Sequence, residues 1–431
     1  MSEGKTGRET ESDSSDALRW AVVAWVLTSV YYFYQYALRS APAVMMPELS
    51  DGFGIRPTAV AAMVAVFYYG YSPFSLVAGV AMDRLGPRRL LPGAAATVGI
   101  GALLFATGQT ELAGLGRFLQ GAGGVFALVG AIYIATRHFA PSRAATLIGA
   151  TQMFGMAGGS AGQFVVGPLI SNGVPWNVFW VAMGLCGLVI GLILSGLLPK
   201  EEQKIAPSPW VAETVGAFKT VFGNPQSILC GLIAGLLFVP TTIFDMIWGV
   251  RFLQDAHSME YGPAVMRSAA VPFGWIIGCP LLGLLSDRIG RRKPVIVGAA
   301  LVLGMCLAWI LFGTPDLFPP YTVGLLAGIA SGAAMLPYTI IKEANPARYS
   351  GTATGVVNFI NFTFSALLGP VFGWVLQHVS GGSDRMEAGH FQTAFWPMLL
   401  GVGIAIVLTL LLKETGPAVR MRPDAPSSEL H

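Results

Sequence analysis

At 431 residues the chain has the length of two or three soluble domains, yet 54% of it is hydrophobic and only 11% is charged, less than half the roughly 25% usual in soluble domains. Its mean hydropathy of +0.62 and its long uninterrupted apolar runs exclude an ordinary water-soluble protein and indicate a membrane protein. The net charge of +3 gives no reason to expect a nucleic-acid partner.

Residues 1–19 form a polar N-terminal tail of mixed charge. It has neither a basic stretch nor a small-residue cleavage site before the first apolar run, so the first span is expected to stay uncleaved. Apolar runs bounded by charged, Gly, Pro or Asn breaks then give twelve candidate spans, near 20–44, 58–81, 90–109, 112–136, 145–170, 177–198, 228–252, 264–285, 294–313, 320–341, 352–377 and 393–412. A helix needs about 20 residues to cross a bilayer and satisfies its own backbone groups, so the predicted fold class is an all-α membrane protein with twelve transmembrane helices. The polar stretch 199–226, a cytoplasmic central loop, separates a six-helix bundle at 20–198 from a second at 227–413. Its WVAETVGAFKTVF portion has the apolar spacing of a short helix lying along the membrane surface. Residues 414–431 read as a disordered tail. An even number of spans puts both termini on one side. That side carries most of the 26 Lys and Arg residues, which by the positive-inside bias makes it cytoplasmic.

Charged and polar residues inside the spans are few, and each is costly there. In the first span Tyr32, Gln35, Tyr36 and Arg39 recur at helical spacing and share one face. A guanidinium at membrane depth draws a carboxylate or phosphate and holds it bidentately. Because Arg39 lies near the outer end of its span, it reads equally as a side chain reaching for the outer surface. After the second span, "MDRLGPRR" places Asp83, Arg84, Gly86, Arg88 and Arg89 in one charged hairpin, with Gly79 just before it. After the eighth, "SDRIGRRK" repeats the pattern as Gly283, Asp287, Arg288, Gly290, Arg291 and Arg292, with Asp287 lying 204 residues beyond Asp83. Gly86 and Gly290 suit a turn too tight for side chains. The hairpins either anchor the topology or form a latch at the interface between halves that stabilises the outward-open state; Asp83→Asn is the direct test of the latch.

Further along, Arg117 in the fourth span has a structural and a gating reading. Tyr133, Gln152, Tyr338, Asn358 and Asn361 offer hydroxyls and amides from the fourth, fifth, tenth and eleventh spans, as ligand contacts or as helix-to-helix bonds. Asp245 is the acid of the seventh span. Lost hydration favours the neutral form of a carboxylate, which suits proton coupling; an ion pair with Arg39 or Arg251 explains the residue as well. Arg267 reads as interfacial. Gly149-x-x-Gln152 is echoed by Gly355-x-x-Asn358, 206 residues on, so the two halves form a parallel repeat.

Cys186, Cys230, Cys279 and Cys306 all lie in apolar runs and read as packing residues. His138, His257, His378 and His390 fall at span ends without metal-ligand spacing, and the glycines at 121–124 and 155–162 lack the Lys-Ser/Thr of a phosphate loop. No cofactor, no metal and no enzymatic constellation are expected.

The GxxxDRxGxR pattern between the second and third spans, repeated after the eighth, resembles the signature loop of the major facilitator superfamily. "GRFLQGAGG" at 116–124 resembles that family's fourth-span motif, with Arg117 as its basic residue, and "GMAGGSAGQFVVGP" at 155–168 resembles its Gly/Pro-rich fifth-span motif. The resemblance implies two pseudo-symmetric six-helix bundles that rock about a central cavity, with Tyr133 and Tyr338 on cavity-lining helices. Tyr36-x-x-Arg39, with Pro47 eight residues on, resembles the first span of the organic-anion and organophosphate branches, the anion:cation symporters, where the Tyr and Arg contact the substrate's anionic group. Organophosphate members usually present a second arginine from the seventh span; residues 228–250 contain no Arg or Lys and offer Asp245 instead. A monoanion, or a zwitterion with a cationic part for Asp245, fits better than a doubly charged phosphate.

The expected function is therefore alternating-access secondary transport: proton-coupled uptake of a small organic anion by a multi-pass monomer in a bacterial inner membrane. Proton-driven efflux of drugs, siderophores or metabolites is the alternative within the same class. A transporter-like membrane sensor is the alternative outside it.

Overall fold

The computed structural model describes residues 3–139, 141–198, 210–315, 317–383 and 386–416. The side chains of Asp83 and Arg84, the first hairpin's half of the latch, lie outside the described residues. The described residues fold as helices joined by short turns, with no strand among them. Twelve helical rods appear in chain order: α1 (Glu3–Ser40), α2 (Pro57–Leu85), α3 (Pro87–Phe105), α4 (Thr110–His138), α5 (Pro141–Phe164, continued by Val166–Ser171) and α6 (Trp176–Leu197). In the second half come α7 (Pro225–Val239, Pro240–Gly249 and Val250–His257), α8 (Tyr261–Ile289) and α9 (Lys293–Phe312). They are followed by α10 (Thr322–Ser331, Gly332–Met335 and Leu336–Glu343), α11 (Ser350–Val379) and α12 (Ala388–Phe395 and Pro397–Leu411).

Ten of these rods are long and apolar enough to cross a membrane. The exceptions are α1 and α3, and their sequences show why. In α1 four tyrosines and Gln35 dilute the apolar run, and α3 opens on Arg88 and Arg89. Helical backbone in α1 also begins at Glu3, well ahead of the first expected span. A separate helix, Trp210–Gly223, occupies the portion of the central stretch read as amphipathic, and its Phe222 ring packs on Phe359 of α11.

Proline and glycine punctuate the rods as their backbone restrictions require. Pro57, Pro87 and Pro225 open helices, where a missing amide hydrogen costs nothing. Gly86 and Gly290 close α2 and α8 with φ of 72° and 70°, a region side chains resist, so both hairpins turn where the sequence indicated. Both also lie at one end of the molecule. Beside the first, Gly79 abuts the start of α11 at Gly351; beside the second, Arg292 reaches Glu343 at the end of α10, a few residues before that same start. This end is called the hairpin face below.

Glycine also sets how closely helices approach. A Cβ at Gly121 of α4 would run into the Phe67 carbonyl of α2, and one at Gly70 would meet the Phe118 carbonyl. The same backbone-to-backbone contact recurs in the second half between α8 and α10, at Gly278 and Gly328. Gly121→Ala is expected to force α2 and α4 apart at about 1–3 kcal/mol, the usual cost of overpacking, read as a lower melting temperature and a smaller monodisperse fraction.

The two halves meet crosswise, α2 against α11 and α5 against α8, as a parallel two-fold repeat requires. Ser72 of α2 donates to the Phe359 carbonyl at 2.9 Å and lies 2.8 Å from the Thr363 hydroxyl. Tyr68 reaches the Thr242 carbonyl, and Ser160 of α5 reaches the Ala269 carbonyl of α8. On the face away from the hairpins, Tyr261 donates to the Val44 carbonyl, closing the end of α1 against the second half.

Candidate functional site

Arg39 defines the centre. It is 2% exposed and sits inside the protein, not at a surface. Five rings surround its guanidinium carbon: Tyr36 at 4.2 Å, Phe67 at 4.8 Å, Tyr68 at 5.7 Å, Tyr71 at 4.7 Å and Phe362 at 5.0 Å. Three of those rings come from α2 and one from α11, so the cage closes only when the halves meet. The π faces offset part of the cost of burying the cation. None of the three guanidinium nitrogens has a hydrogen-bond partner. The Tyr71 hydroxyl, the Asn361 carbonyl oxygen and both polar atoms of Gln35 are likewise buried and unpartnered.

Around this core the other predicted residues divide. Tyr32 packs edge-on against Tyr36 and donates to Gln152 at 3.2 Å, joining α1 to α5. Tyr338 of α10 donates to Asn358 at 2.8 Å and accepts from Asn361 at 3.0 Å, while the Asn358 amide donates to Ser75 of α2 at 3.0 Å. Asn358 thus spends its amide holding the halves together, whereas Asn361 keeps an unpartnered oxygen. Tyr133 is buried on α4, with the Arg137 guanidinium 5.7 Å from its ring. Arg117 is fully engaged as a strut: it donates to the carbonyls of Val64 and Leu38 and, at 2.7 Å, to Gln120. Arg267 donates to the Pro315 carbonyl at 3.0 Å.

Asp245 is not brought to Arg39. It sits in the wide-turned segment Pro240–Gly249, 4% exposed, with one carboxylate oxygen accepting from Ser268 at 3.0 Å and the other unpartnered. It lines a cavity of about 100 Å³ within the second half, between α7, α8, α9 and α10, together with Thr241, Phe244, Val271 and Leu307. Its neighbour Met246 instead brings its methyl to Gly159 of α5, which the Tyr36 ring also approaches. Among the described residues no ion pair joins Asp245 to Arg39 or Arg251; Arg251 pairs with Asp255 at 3.0 Å.

At the second hairpin, Arg292 binds Asp287 of the same turn, Ser286 at 2.9 Å and Glu343 of α10 at 3.1 Å. Burial pulls the guanidinium toward losing its proton, and the two carboxylates outweigh that and hold it above its ordinary range. Glu414 accepts from the amides of Arg292 and Lys293 and caps α9. These contacts stay within the second half, so Asp287 serves here as an internal brace. Arg288, Arg291 and Arg89 are exposed, and Arg88 donates to the Leu198 carbonyl. Gly79 is buried against Gly351, but a Cβ at Gly283 would meet nothing within 4 Å, so the two hairpins are packed unequally.

Sequence reasoning missed the α2 rings and Lys342. The pattern F-Y-Y-G-Y at 67–71 held a signal for the former, since Phe67, Tyr68 and Tyr71 recur at helical spacing.

The family model described as Major Facilitator Superfamily matches residues 28–370. The chain is 25% identical over 398 residues to the hexuronate transporter of Bacillus subtilis, covering 87% of this chain and 90% of that protein. It is 26% identical over 270 residues to the chloramphenicol resistance protein CraA of Acinetobacter baumannii, covering 62% and 64%. Among solved structures, a bacterial homologue of the human lysosomal transporter Spinster superposes with a TM-score of 0.66 at 16% identity, over 91% of this chain and 97% of that one. The repeated hairpin, the crosswise halves and a family match over most of the length agree, and the chain belongs to the Major Facilitator Superfamily as a multi-pass membrane transporter.

Proposed function

We propose that this transporter carries small organic monoanions by alternating access, with Arg39 as the anion anchor. The observation that carries the reading is the fully buried guanidinium with three unpartnered nitrogens and, among the described residues, no carboxylate in an ion pair with it. A buried unpaired cation costs several kcal/mol, which a carboxylate or sulfonate returns when it binds the fork bidentately. Tyr71, Gln35 and Asn361 supply further unpartnered polar atoms on neighbouring helices. The B. subtilis relative, named for a sugar acid, supports an anionic cargo.

In this reading the bundles at 20–198 and 227–413 rock about the cage, both termini and the hairpin face are cytoplasmic, and the protein works as a monomer in a bacterial inner membrane. A proton carried through Asp245 drives uptake. Its site within the second half separates proton and anion, so coupling runs through movement of α7 instead of direct exchange. The ring-lined cage and the chloramphenicol-resistance relative favour a second reading, efflux of an aromatic compound. Efflux of a neutral drug leaves the Arg39 nitrogens without a role.

The test is uptake into proteoliposomes of a labelled sugar acid (D-glucuronate), an aromatic acid (benzoate) and a short sulfonate (isethionate), with and without an inward proton gradient. Accumulation of at least one, increased by the gradient and competed by the unlabelled acid, is expected. Transport of none of the three, with transport of neutral chloramphenicol, overturns the anion reading.

A further inference from the structure

Lys342 is a cation that the anchor alone does not explain. It lies in α10, one turn beyond Tyr338 on the same face, since residues four apart stack along a helix. Its neighbour Glu343 turns the other way, onto Arg292. The Tyr338 stripe faces Asn358, Asn361 and, through Asn358, Ser75 of the opposite half. Lys342 therefore continues the central face toward the hairpin end. It is half-buried and has no hydrogen bond or ion pair among the described residues.

The same arrangement exists in the first half. Arg137 of α4 stands one turn beyond Tyr133, its guanidinium 5.7 Å from that ring; it is more exposed than Lys342 and also without an ion pair among the described residues. Tyr338 and Lys342 each follow their counterparts, Tyr133 and Arg137, by 205 residues, the interval that separates the two hairpins to within one residue. Each half thus presents a Tyr-x-x-x-cation stripe from its fourth helix, and the repeat relates the two.

We propose that Arg137 and Lys342 form a second anion station on the hairpin side of the Arg39 cage, where a carboxylate or sulfonate rests on its way to or from Arg39. The station rests on the anion reading above. Two cations from different halves hold a monoanion without enclosing it, which suits a stop that must also release. Lys342, half-buried, loses less to solvent screening than an exposed lysine does. The pair also places the two positive groups on different halves, so the station widens and weakens as the halves separate.

The experiment compares wild type with Lys342→Gln, Arg137→Gln and the double variant, using whichever panel anion is taken up best. Transport is measured separately from each membrane face, in right-side-out and inverted vesicles. The double variant is expected to raise the half-saturating concentration about tenfold on the hairpin face, with little change from the other face. Lys342→Arg and Arg137→Lys, which keep the charge, are expected to stay near wild type. Equal half-saturating concentrations in wild type and double variant on the hairpin face overturn the station and reduce both residues to topogenic charges. Arg39→Met separates the two claims: loss of uptake from both faces with an unaffected double variant refutes only the station, and unimpaired uptake refutes the anion reading beneath it. Should the double variant misfold, Lys342→Cys alone suffices. A negatively charged methanethiosulfonate applied from the hairpin face is expected to react faster than a positively charged one, and equal rates overturn the proposal.

Discussion

Arg39→Met is expected to abolish anion transport and, in the same protein, to raise thermal stability in the absence of cargo. The two effects share one cause. Arg39 is buried, caged by five rings and left with three unpartnered nitrogens. Replacing buried charged groups by apolar ones of similar volume is often stabilising by about 1–4 kcal/mol, so the melting temperature in detergent should rise by a few degrees. Losing the charged fork while the cargo's carboxylate still has to be desolvated costs about 3–5 kcal/mol, which is a fall of at least about 100-fold in uptake efficiency. Arg39→Lys keeps the charge without the bidentate geometry and should fall between the two. A saturating transported anion should stabilise wild type by about 2.7 kcal/mol at 100 times its dissociation constant and leave Arg39→Met unmoved. A variant that transports normally, or one that melts earlier than wild type, contradicts the anchor.

Asp245→Asn is expected to uncouple transport without stopping it. Asn keeps the volume and still accepts the Ser268 hydroxyl, so the cavity between α7 and α10 should survive. What it lacks is a removable proton. One proton moving inward supplies about 1.4 kcal/mol per pH unit, while its electrical gain of about 2.3 kcal/mol per 100 mV is cancelled by the monoanion that moves with it. Wild type should therefore accumulate its anion about tenfold per unit of imposed gradient, and the variant should only equilibrate. Exchange of labelled for unlabelled anion across the membrane should continue near the wild-type rate. If accumulation survives, Asp245 does not carry the proton; if exchange and accumulation fail together, the residue braces α7 against α8 and couples nothing.

Much of the architecture is readable from the chain because apolar runs are broken by residues with strict backbone roles. Gly86 and Gly290 turn with positive φ where the charged repeats place them, and the ten rods able to cross a membrane fall on apolar runs between such breaks. The face shared by Tyr36 and Arg39 is readable too, because α1 is regular helix through that stretch. Asp245 is not, for a geometric reason. From Pro240 to Gly249 the backbone bonds i to i+5, widening the turn and rotating each residue away from where a 3.6-residue wheel puts it. Met246 then faces Gly159 of α5 while Asp245 faces Ser268. Asn358 illustrates a different limit: a lone sequence shows that an amide is present but not that Ser75 and Tyr338 already occupy it. Lys342 is not legible because the apolar run of the tenth span ends at 341, whereas α10 runs on to Glu343.

The seam between α2 and α11 has a mechanical consequence. Ser72 meets the Phe359 carbonyl and the Thr363 hydroxyl, Ser75 meets Asn358, and glycines at 79, 351 and 355 let the strands of this closure lie flush. It resembles a zip more than a weld: on the hairpin side of the Phe362 ring, these teeth are small polar groups that an entering water molecule can satisfy at once. Opening such a fastening swaps partners instead of exposing oil. A machine that must part and rejoin its two leaves on every cycle needs that kind of join, and Ser72→Val, which sets a methyl against the Phe359 carbonyl and the Thr363 hydroxyl, should loosen the shut form.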